Sequence, residues 1–161
     1  MVGPHPTKVG WTLESPGNSL DGEGTFVEAM NTPECAGGSE GRLISVVDDD
    51  QSLRRSVKNL LSSMGFRVET FDSAEAFLDS AHRRDTGCLV LDLAMTGMGG
   101  FDLLARLSAA DARIPVIVLT AHASDEARRR SQEAGAIAFL GKPFRADLLL
   151  DAVRIALARP R

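Results

Sequence analysis

Five short apolar runs, each parted from the next by a stretch long enough for a helix, leave this chain few folds to choose from. The runs are residues 43–47, 66–71, 87–92, 114–119 and 137–140. The first connection carries Leu53, Val57, Leu60, Leu61 and Met64 on one helical face and closes at Gly65. Ser73 or Asp72 caps a second helix bearing Phe77 and Leu78, and helices are expected over about 101–107, 124–134 and 146–158. Strands joined by helix-length crossovers pair in parallel, and the crossovers are right-handed. The expected class is therefore α/β: a doubly wound, flavodoxin-like sheet of five parallel strands in the order 2-1-3-4-5, with helices on both faces.

In such a sheet every carboxyl end lies along one edge, and that edge is where ligands bind. The first strand delivers Asp48 and Asp49 there, the third Asp92, the fourth Thr120 and the fifth Lys142. A buried strand does not end in a carboxylate unless something pairs with it. Three carboxylates brought within a few ångströms of one another need a cation. An all-oxygen set favours Mg²⁺ over zinc, and no His/Cys cluster offers the softer alternative. With a divalent ion, an amine and a hydroxyl on one side of Asp92, the edge suits a transferring phosphoryl group. Asp92 would be the nucleophile and would form an acyl phosphate. Each of these residues alone reads as a cap or a turn residue; the joint pattern carries the argument.

Charge and cysteine content bound the rest. Residues 1–41 hold six acidic side chains against Lys8 alone, while the remainder holds 16 acidic and 17 basic. A nearly neutral domain does not advertise nucleic acid or an anionic membrane. Cys35 and Cys88 make no disulfide framework and are expected as reduced thiols in the cytoplasm. No run approaches the roughly 18 apolar residues of a membrane span. Residues 1–41, with four prolines, eight glycines and no apolar period, are expected to be a disordered leader before a domain over 42–161. Met30 offers an alternative start.

The segments VVDDD, LVLDLAMTGMGG, VIVLTAH and FLGKPF, in this order and spacing, closely resemble the receiver domain of bacterial two-component response regulators. SAEAFL and the GKPF ending resemble the FixJ-like subgroup. The resemblance implies that Asp92 takes phosphate from a phosphohistidine of a sensor histidine kinase or phosphotransfer protein. It implies that Asp49, Asp92 and the carbonyl of Ala94 hold Mg²⁺, with Asp48 acting through water. Lys142 would contact the phosphoryl oxygens, Thr120 would move toward them, and Phe139 would turn inward as a switch read by a downstream protein. The domain would catalyse only its own phosphorylation and slow dephosphorylation, as a monomer or a phosphorylation-dependent dimer.

Two positions depart from the family pattern. Thr96 stands where proline is common, which suggests a less rigid loop, and Ala94 and His122 occupy positions that influence phosphate lifetime. The arginines at 128–130 are expected to form a solvated face. The chain stops after the last helix, so a stand-alone receiver with no direct DNA binding and no membrane contact is expected. Two other classes share part of this pattern. A haloacid-dehalogenase-type hydrolase would need a second acid where Ala94 stands. A pseudo-receiver, a pure interaction module, would not need the complete acidic set.

Overall fold

A computed structural model of the chain describes residues 26–27, 42–110 and 113–159. In chain order the elements are β1 (Phe26–Val27), β2 (Leu43–Val47), α1 (Gln51–Ser63), β3 (Arg67–Phe71), α2 (Ala74–Asp79), a 3₁₀ turn (Ala81–Asp85) and β4 (Thr86–Asp92). They continue with α3 (Gly100–Ala109), β5 (Val116–Thr120), α4 (Asp125–Glu133), β6 (Ala138–Gly141) and α5 (Ala146–Ala158).

The sheet runs β1-β6-β5-β4-β2-β3. Within it β2 to β6 are all parallel, in the expected order 2-1-3-4-5. Alternate side chains of each strand feed two cores, one on each face. Ile44, Val46, Cys88, Val90, Ile117 and Leu119 pack with Val57 and Leu61 of α1 and Leu149 and Val153 of α5. On the other face Val47, Leu89, Leu91, Val118 and Phe139 pack with Phe77 of α2 and Leu103, Leu104 and Leu107 of α3. Because both faces are covered, the central strands read as continuous apolar runs rather than alternating ones.

The one polar pair inside these strands is internally satisfied: the Ser45 and Thr86 hydroxyls lie 2.8 Å apart, and Thr86 Oγ1 donates to the His82 carbonyl at 2.9 Å. The Arg42 guanidinium donates to the Leu157 carbonyl at 2.7 Å, tying the entry of β2 to the end of α5. Cys88 is buried, and burial pushes its thiol well above the usual range. Cys35 lies outside the described residues.

Helix ends follow local chemistry. Ser73 caps α2 by accepting from Ala76 N at 3.1 Å, and Ser124 caps α4 by accepting from Ala127 N at 3.1 Å. Gly65 and Gly135 close α1 and α4 at φ values of 88° and 93°, a conformation other residues rarely adopt. The fourth strand begins at Val116 rather than at 114, because Pro115 has no N–H to give the ladder. Its carbonyl still accepts from Leu89 N at 2.9 Å.

The expected run of arginines on α4 is largely neutralised locally. Arg128 and Arg129 pair with Asp125 and Glu126 one turn back, and Arg130 lies 4.0 Å over the Phe101 ring.

The sheet has one strand that the sequence reading did not anticipate. Phe26 and Val27 pair antiparallel with β6, Phe26 opposite Phe139 and Val27 opposite Ala138. Two residues leave no period to detect. Otherwise the expected disordered leader falls outside the described residues.

Candidate functional site

The carboxyl edge of the sheet gathers the residues singled out from the sequence. β2 stops at Val47, so Asp48 and Asp49 stand just past its end, while Asp92 and Thr120 are the last residues of β4 and β5. Lys142 follows the last residue of β6 and precedes a cis Pro143 peptide. One carboxylate oxygen from each of Asp48, Asp49 and Asp92 falls within a set whose members lie within 4.8 Å of one another. Lys142 Nζ bridges two of them, at 3.0 Å from Asp48 Oδ2 and 3.5 Å from Asp92 Oδ2.

Burial differs sharply across this set. Asp48 and Asp92 are 1% and 4% exposed, whereas Asp49 is open to solvent. Asp48 is held from three sides: its Oδ1 accepts from Asp50 N at 2.8 Å, its Oδ2 takes Lys142, and its carbonyl accepts from Arg54 Nη1 at 2.6 Å. Asp92 Oδ1 accepts from Ala94 N at 3.1 Å. Desolvation pushes the Asp92 carboxyl up to about 6, and the Asp48 charge adds to the rise. The Ala94 amide and Lys142 oppose it. Asp50, the third acid of the run, belongs to α1 instead: its Oδ1 accepts from Ser52 N and Leu53 N at 2.9 and 3.2 Å as the helix cap.

Thr120 is buried, and its Oγ1 accepts from His122 N at 3.1 Å; His122 itself is exposed at the rim. The backbone amide of Lys142 donates to the Thr120 carbonyl at 2.7 Å, coupling the ends of β5 and β6. Phe139 has no exposed surface.

Around the loop after Asp92, Glu75 and Gly100 were given no role from the sequence, and Thr96 takes one opposite to the role expected of it. Glu75, in the first turn of α2, accepts from Met98 N at 3.0 Å. The Thr96 amide donates to Asp49 Oδ2 at 3.4 Å, a bond that a proline there could not make. The loop therefore gains an anchor where reduced rigidity was expected. Gly100, the first residue of α3, leaves no room for a side chain: a Cβ there would sit 2.5 Å from the Asp92 carbonyl oxygen.

The oxygen donors fit a small hard cation. Among the described residues Lys142 is the one cation paired with this cluster, through Asp48 and Asp92 and not Asp49. That leaves negative charge in excess among ligands of the type magnesium prefers. A separate depression of about 740 Å³, with Arg83, Arg84, Arg106 and Arg113 among its lining, opens at the amino edge near the start of β4. It lies at the far end of the strands from the acidic cluster.

An acidic cluster bridged by a strand-end lysine thus lies at the carboxyl edge of a 2-1-3-4-5 parallel sheet, the strand order of the receiver domains of two-component response regulators. Residues 44–154 match the family model of the response regulator receiver domain, and the chain belongs to that family. It is 42% identical over 119 residues to Nodulation protein W of Bradyrhizobium diazoefficiens, covering 74% of this chain and 52% of that protein. It is 39% identical over 114 residues to the transcriptional regulatory protein FixJ of the same species, covering 71% and 56%. The crystal structure of FixJ-N superposes with a TM-score of 0.67 at 36% identity, covering 74% of this chain and 95% of that one.

The chain spans about half the length of the curated relatives it matches. This corrects the expectation on partners. Relatives named as transcriptional regulatory proteins act on gene expression, so the absence of direct DNA binding no longer follows. That expectation rested on the domain's near-neutral charge and on where the chain stops, and neither describes the rest of a longer regulator. Among the described residues no helix is long and apolar enough to cross a membrane.

Proposed function

We propose that this receiver domain accepts a phosphoryl group on Asp92 from the phosphohistidine of a histidine kinase and thereby switches a protein-interaction face. The observation that carries the reading is the position of Lys142 Nζ, 3.0 Å from Asp48 and 3.5 Å from Asp92, beside a third carboxylate. A buried acid at this spot has an amine ready to meet the charge that phosphorylation adds.

In the reaction an Asp92 carboxylate oxygen attacks phosphorus as the P–N bond to the donor imidazole breaks, giving an acyl phosphate and free histidine. Asp49, Asp92 and the Ala94 carbonyl would hold Mg²⁺, with Asp48 behind them, and the ion when bound neutralises the phosphoryl oxygens. Lys142 then contacts one of those oxygens. The Thr120 hydroxyl, bonded to the His122 amide in this conformation, is the group that would reorient toward the phosphate. The domain turns over no substrate other than itself and works in the cytoplasm. By analogy with its relatives, the regulated output is transcription.

The test is incubation with acetyl phosphate and Mg²⁺ followed by intact mass measurement. A gain of one phosphoryl group that disappears in Asp92→Asn is expected. No gain with any phosphodonor would overturn the reading and leave an interaction module that is never phosphorylated.

A further inference from the structure

The strand that leads into Lys142, β6, is one of the two outermost parallel strands of the sheet. β5 pairs with one side of β6, from Ile117 opposite Ala138 to Thr120 opposite Gly141. A strand in that position offers its other side as a row of backbone donors and acceptors, ready to take up a further chain. Here that side is already engaged, by Phe26 opposite Phe139 and Val27 opposite Ala138.

The direction of this pairing fits the route of the chain. Being antiparallel, β1 leaves the sheet at the edge where every parallel strand starts, and that is the edge at which Leu43 must enter β2. Four strand spacings separate β1 from β2 in the sheet order, roughly 19 Å at about 4.8 Å each. The residues between Val27 and Leu43 span up to roughly 50 Å when extended, at about 3.3 Å per residue. The stretch is therefore long enough for the pairing to close within a single chain. A pairing only two residues long is also short enough to be displaced.

We propose that the outer edge of β6 is a strand-docking surface whose resident occupant is residues 26–27 of the same chain. The leader caps the edge in cis through its backbone. A partner that adds an extended segment to this edge must first displace it. The partner class is thus an extended peptide recognised by main-chain hydrogen bonding rather than by a side-chain pocket. Only the signalling consequence rests on the phosphoryl-acceptor reading, because β6 carries Phe139 and runs into Lys142; the capping itself does not.

The test is hydrogen–deuterium exchange of the full chain without phosphodonor, so it stands or falls independently of Asp92 chemistry. Phe26→Pro/Val27→Pro removes the backbone N–H that β1 turns toward β6, whichever of the two carries it, while Phe26→Ala/Val27→Ala keeps it. The expected result is that the one amide of 138–139 that faces β1 exchanges at least tenfold faster in the prolyl variant and at the native rate in the alanyl one, while its neighbour, bonded to β5, stays protected in both. Peptides from β4 and β5 should stay fully protected in both, which reports an intact fold. Unchanged exchange at 138–139 in the prolyl variant would overturn the proposal. Equal release in both variants would overturn its backbone basis.

Discussion

The tightest contact in the site is made by a residue with no side chain, and filling it is the sharpest way to test the geometry. Gly100 is buried at the first position of α3, and a Cβ there would stand 2.5 Å from the Asp92 carbonyl oxygen and 2.6 Å from Leu93 Cα. Both obstacles are backbone, so no flexible side chain can swing aside. In an unobstructed helix Gly→Ala stabilises by about 0.4–1 kcal/mol, because the unfolded chain loses freedom. Forcing an extra carbon into a packed position typically costs about 1–3 kcal/mol. A contact about 1 Å short of ordinary van der Waals distance belongs at the upper end of that range, so the steric effect wins. With a net cost of about 2–2.6 kcal/mol, Gly100→Ala should lower Tm by roughly 8–10 °C, at about 4 °C per kcal/mol for a domain of this size. It should also slow phosphorylation by acetyl phosphate, since whatever moves to make room includes the backbone of Asp92 itself. Thermal unfolding followed by circular dichroism measures the first effect and intact mass the second. A Tm equal to or above that of the native chain would show that the close approach between α3 and the end of β4 does not exist.

Other perturbations reach the same site from different sides. The Asp92 carboxyl titrates near 6 in the folded chain against 3.8 unfolded, so the folded state binds more protons between those values and stability falls as pH rises through them. Asp92→Asn should therefore be more stable than the native chain at pH 7, with the advantage vanishing by about pH 4; a gap independent of pH in thermal melts would refute this. Magnesium should raise Tm, by the equivalent of about 2.7 kcal/mol at a hundredfold excess over Kd, and the rise should be lost in Asp49→Ala. Thr96→Pro removes one long, exposed bond of 3.4 Å to Asp49, so denaturant titration should register less than about 1 kcal/mol. A larger loss would mean that the loop depends on that bond.

The residues that were legible from sequence share one property: their roles follow from periodicity along the chain. The apolar face of α1 and the runs of β2, β4 and β5 declare themselves, and parallel topology then places Asp48, Asp49, Asp92, Thr120 and Lys142 on one edge without further assumptions. What escaped depends on approach through space. Nothing along the chain distinguishes Asp50 as a helix cap from its two neighbours, which face the site. Glu75 looks like any first-turn acid until Met98 N arrives at 3.0 Å from another loop. Gly100 reads as one more loop glycine until the Asp92 carbonyl is seen against it. β1 is two residues of leader whose pairing is stated only by the strand it meets.

The two edges of the parallel sheet are not equally connected to Asp92. β3 reaches the cluster through a single backbone bond, from Asp48 N to the Phe71 carbonyl at 3.2 Å, and sends no side chain into it. β6 sends Lys142, whose Nζ sits between Asp48 and Asp92 and whose amide is anchored to the Thr120 carbonyl. Phosphorylation of Asp92 replaces one negative charge by about two, which strengthens the pull on Lys142 away from Asp48. On the proposed reading a shift of that lysine would pass along β6 to Phe139, the residue opposite Phe26. Beryllofluoride bound at Asp92 should thus change hydrogen exchange across 138–141 more than across 67–71. Equal changes at the two edges would mean that the charge at Asp92 is felt through the sheet as a whole and that Lys142 is not its route.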